Sequence, residues 1–127
     1  MVKVLIVQKD VNLCNKIKEG LDKSFNVYFA HNCDDALKIC RVTDIHLLLT
    51  SLSLSSGELS EMIKYLRDHY PEKRVIAVSD HMMNKNLLEA MMRIGSFGVD
   101  QLIPYPIVAR EVHNAVDKEL PNCVSFE

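Results

Sequence analysis

Short apolar runs alternate along the chain with segments in which apolar residues recur every three or four positions. "KVLIV" (3–7) is almost wholly apolar and stops at the polar Gln8-Lys9-Asp10, the pattern of a buried strand. Leu13, Cys14, Ile17 and Leu21 then share one face of a helix predicted over 10–21, with Asp10 as its N-cap. "NVYFA" (26–30) is a second strand. "NCDDALKIC" (32–40) is a second helix with Asn32 as N-cap, Asp35 three residues on in the manner of a capping box, and an apolar stripe of Ala36, Leu37 and Cys40. "HLLLT" (46–50) is a third strand, buried on both faces. A third helix over 59–69 carries Met62, Ile63 and Leu66 on one side. "RVIAVS" (74–79) is a fourth strand, and a fourth helix is predicted over 84–95. "VDQLI" (99–103) is a weaker fifth strand, placed at an edge by Pro104, which cannot donate to a ladder. "IVAREVHNAVDKEL" (107–120) closes the series with Val108, Val112 and Val116 at i, i+4 and i+8.

Five β-α units in succession predict an α/β fold: a parallel sheet with helices on both faces and right-handed crossovers. In such folds ligands bind at the carboxyl ends of the strands. The residues to examine are therefore Gln8 and Lys9, Thr50 and Ser51, Ser79 and Asp80, and Tyr105.

Composition narrows the function. A chain of 127 residues forms one domain, 1–127. A net charge of −2 argues against direct nucleic-acid or anionic-membrane binding. No apolar run approaches the ~18 residues of a membrane span. The N-terminus shows no signal-peptide pattern, so a cytoplasmic location is expected. Cys14, Cys33, Cys40 and Cys123 form neither a CxxC pair nor a zinc spacing and read as reduced, mostly buried thiols. The five histidines lack a paired helical spacing, so no metal site and no cofactor is expected. "SDH" at Ser79-Asp80-His81 holds the residue types of a hydrolase triad, but adjacent residues cannot adopt triad geometry. A flavodoxin-like enzyme would need a Gly-rich phosphate loop or a catalytic cluster, and the sequence has neither; an enzyme is not expected. The serines of "SLSLSSGELS" suit loop and cap hydrogen bonds.

The chain resembles, over essentially its whole length, a bacterial response-regulator receiver domain of the CheY-like family. "KVLIVQKD" resembles the first strand, which in the family ends in two acids. "AHNCDDALKIC" resembles the second helix. "HLLLTSLSLSSGELSEMIKYLRDHYPEKRVIAVS" runs from third to fourth strand without a gap, and "GVDQLIPYPI" resembles the Lys-Pro segment after the fifth. Between Ser79 and Gly98 the chain is a few residues longer than the pattern. The resemblance implies a flavodoxin-like, doubly wound sheet of order 2-1-3-4-5 with five helices on two faces. It also implies a role in two-component signal transduction or a phosphorelay, alone or within a larger regulator, and a cis Tyr105–Pro106 bond. Ser51 stands where the phosphate-accepting aspartate belongs, Ser55 at the following proline, Ser79 at the Ser/Thr position, and Tyr105 at the lysine. An alternative register, anchored on Gly57 and requiring gaps, puts Leu49 at the acceptor position.

The departures carry the functional expectation. In the family, three carboxylates hold Mg²⁺, a hard cation that takes oxygen ligands. Gln8 and Lys9 replace two of them, Ser51 replaces the acceptor and Tyr105 the lysine; Ser79 alone keeps its type. Lys9 repels a metal ion brought within several ångströms, and a serine without metal or base is a weak nucleophile. The expectation is a pseudo-receiver: a phosphorylation-independent interaction module for a signalling protein, or for a second copy of the chain. Against it stands a receiver switched through an anion or small ligand at Lys9 and Ser51, or one in which the Lys9 ammonium mimics the metal, although an exposed lysine at a strand end is usually just solvated. Receivers commonly signal through the fourth helix, fifth strand and last helix. Here Met82, Met83, Met91 and Met92 supply adaptable thioethers and Leu102 stands at the aromatic switch position. Plain packing of the fourth helix accounts for the same methionines equally well.

Overall fold

The computed structural model describes residues 2–52, 56–79 and 98–120. Its elements are β1 (Lys3–Val7), α1 (Val11–Glu19), β2 (Asn26–Ala30), α2 (Cys33–Val42), β3 (Leu47–Ser51), α3 (Ser56–His69), β4 (Arg74–Val78), β5 (Gln101–Ile103) and α4 (Ala109–Glu119). All strand pairings are parallel, in the order β2-β1-β3-β4-β5. This is the flavodoxin-like, CheY-like topology. The helix expected over 84–95 and the methionines at 82, 83, 91 and 92 lie outside the described residues, as does Cys123.

Strand period two divides the core. Val4, Ile6, Leu47, Leu49, Ile76 and Val78 face α1 and α4, where they meet Cys14, Ile17, Val112 and Val116. Leu5, Val7, Leu48 and Val75 face the other way, onto Ala36 and Cys40 of α2 and Met62, Ile63 and Leu66 of α3. β1, β3 and β4 are buried on both faces, which is why their sequences read as unbroken apolar runs.

The caps match their sequence signals. Asp10 accepts from the amides of Asn12 and Leu13 at 2.8 and 3.3 Å, and Asn32 accepts from Asp35 N–H at 2.8 Å. The Asp35 carboxylate answers to the Asn32 side-chain amide at 3.3 Å rather than to its backbone, so the box is only half of the usual form.

Two expectations change. Val108 is not part of the last helix's buried stripe. Its backbone is extended at the N-cap and the side chain is 46% exposed, while Ile107, one residue earlier, takes the core position. The third helix begins at Ser56, ahead of Leu59, where its apolar stripe starts. Gly20 closes α1 against α4: a Cβ there would lie 2.6 Å from both the Ala109 carbonyl oxygen and Val112 Cβ, so only a bare α-carbon fits.

Candidate functional site

The parallel register delivers three of the sequence-selected residues to one edge. Val7 pairs with Thr50, so the next residue on each strand, Gln8 and Ser51, flank one another. Ser51 pairs with Val78, which puts Ser79 one step beyond it. Leu49 sits two residues deeper, paired with Ile6 and Ile76 and fully buried in the core. Of the two registers read from the sequence, the one with Ser51 reaches the edge and the one with Leu49 does not.

Gln8, Ser51 and Ser79 are all buried, at 2%, 2% and 0% exposure. These numbers matter because a functional pocket needs reachable groups. The Gln8 side chain folds back along its own chain, and Oε1 accepts the Asp10 amide at 3.1 Å. Its backbone N–H donates to Ala30 O at 3.0 Å. Its carbonyl accepts from the Cys14 thiol at 3.6 Å and faces His31 Nδ1 at 3.3 Å. Ser79 N–H donates to Ile103 O at 2.9 Å, which ties β4 to β5 at the same level. Among the described residues no buried side-chain nitrogen or oxygen lacks a hydrogen-bond partner.

Lys9 and Tyr105 do not join that buried set. Lys9 is exposed beside it, and Tyr105 is 46% exposed, followed by a cis bond to Pro106. Leu102 lies half-buried on β5, against a groove of ≈300 Å³ that Pro104, Glu111 and Lys118 also line.

The rim holds groups that the sequence did not single out. Cys33 opens α2, and its thiol is pushed up to about 11, first by burial and then by the carboxylates of Glu58 and Asp34; Lys9 acts in the opposite sense. Lys9, Glu58, Asp34 and Cys33 therefore share one electrostatic neighbourhood, drawn from the β1–α1 turn and the first turns of α2 and α3. No spacing rule links them.

A hard dication would have to find oxygen anions here. Gln8 offers a neutral amide already engaged with Asp10, Lys9 a cation, and Ser51 a buried hydroxyl. Asp10 accepts from two backbone amides. Among the described residues no group of three or more His, Cys, Asp or Glu is placed so that it could hold a metal ion. These residues do not fit a Mg²⁺ site.

No family sequence model matches the chain, and no curated protein does. Solved structures match its shape closely. A response regulator from Thermotoga maritima is similar with TM-score 0.80 at 22% identity, over 95% of this chain and 98% of that one. The chemotaxis response regulator CheY4 of Vibrio cholerae gives 0.79 at 15% identity, over 94% and 99%. HP1043, an orphan response regulator of H. pylori, gives 0.73 at 17% identity, over 94% and 96%. At such identities the likeness establishes the fold of a response-regulator receiver domain.

Proposed function

We propose that this chain is a pseudo-receiver, a receiver-type signalling domain that works as a phosphorylation-independent protein–protein interaction module. The observation that carries the reading is the burial of Gln8 and Ser51 where the fold presents its catalytic edge, with the Gln8 amide oxygen engaged internally at Asp10. A phosphate acceptor must be an exposed, activated nucleophile, and Ser51 is a buried hydroxyl beside a neutral Gln8 and a cationic Lys9. The domain is accordingly not an enzyme, needs no Mg²⁺, and acts in the cytoplasm on signalling proteins or on a second copy of itself. No helix among the described residues is long and apolar enough to cross a membrane.

Amide NMR spectra of the labelled protein during addition of Mg²⁺, then acetyl phosphate, test this. Gln8, Lys9, Ser51 and Ser79 stay in place if the reading holds. Movement at millimolar Mg²⁺, or a phosphoryl group found on Ser51, overturns it. One observation favours a second reading, switching by an anion: Lys9 is an exposed cation next to buried hydroxyls. That reading requires the same amides to shift with acetyl phosphate or sulfate while remaining indifferent to Mg²⁺.

A further inference from the structure

We draw no further inference here: the strongest candidate, the groove beside α1 and β2 where Val11 and Phe29 stand exposed, is flanked by Lys18 and Lys23 on one hand and by Asp10, Glu19 and Asp22 on the other, and nothing in the structure shows what covers it.

Discussion

Gln8 Oε1 accepts the Asp10 amide proton at 3.1 Å, so a residue at the sheet's carboxyl edge braces its own β1–α1 turn. The same turn lets Asp10 cap α1. Side-chain chemistry that could serve a ligand is used here to hold backbone.

Gln8→Ala should therefore be a stability mutation. It strips a buried side chain and leaves the Asp10 N–H without its acceptor, a loss of about 1–3 kcal/mol. Urea unfolding should show a lower midpoint with an unchanged slope. Gln8→Glu keeps an acceptor oxygen, so near pH 4, where the new carboxyl can be neutral, it should recover part of the loss; unaltered stability in Gln8→Ala would sever the link between this residue and the turn.

Gly20→Ala tests the α1–α4 contact. The glycine's φ of −85° suits any residue, so conformational strain is not at issue. Its Cβ would press on the Ala109 carbonyl and on Val112 at 2.6 Å, and backbone cannot step aside cheaply. Overpacking of this kind costs about 1–3 kcal/mol. A melting temperature equal to wild type would mean that the helices sit further apart.

Arg67 is the clamp of the opposite face. Its guanidinium donates to Lys73 O at 2.8 Å, to Gly98 O, and to Asp100 Oδ2 at 3.0 Å. Asp100 in turn accepts Val75 N–H at 2.8 Å, so one side chain joins α3 to the starts of both β4 and β5. Gly98 has φ +66°, and a Cβ there would touch Ile63 at 3.2 Å, so its backbone approaches Arg67 as only glycine can. Lysine lacks the planar fork. Arg67→Lys should lower the denaturation midpoint nearly as far as Arg67→Ala, and hydrogen exchange should quicken at Val75 in both.

The alternation that made the strands legible was strong because β1, β3 and β4 are buried on both faces and are polar only at their ends, as at Thr50 and Ser51 of β3. β5 was harder. It has three residues, and one neighbour settles it: Val78 pairs with Ile103. Val108 misled because its spacing to Val112 fits a helix, whereas the chain enters α4 in an extended conformation. The site was legible as positions, since residues after parallel strands must gather at one edge. Its burial was not, because exposure depends on what the turns do, and Gln8 folding back on Asp10 leaves no mark in the sequence.

Hydrogen-bond partners assign histidine tautomers at opposite ends of the sheet. Lys3 N–H donates to His46 Nδ1 at 3.0 Å, so in the neutral ring that nitrogen carries the lone pair and Nε2 the proton. His31 Nδ1 faces Gln8 O and His69 Nδ1 faces Tyr65 O, both acceptors, so those nitrogens carry protons. Long-range ¹H–¹⁵N correlation spectra at alkaline pH should show His46 in one tautomer, His31 and His69 in the other. A shared pattern would place the His31 ring away from the Gln8 carbonyl.

The buried thiols predict how stability responds to alkali. Cys33 is raised from an ordinary 9.0 to about 11, and burial raises Cys14 and Cys40 as well. A raised thiol binds its proton more tightly folded than unfolded. Below pH 9.0 both states hold the proton and the full stabilisation is present. Between 9.0 and about 11 the unfolded chain releases it first, so stability falls as pH rises through this window. Cys33→Ala removes one of the three contributions and should shallow the decline relative to wild type, even if it lowers stability at every pH. The slopes, compared by urea unfolding across the window, read the thiol alone. Parallel slopes would show Cys33 titrating at its ordinary value, and with it an α2 terminus open to water beside Lys9.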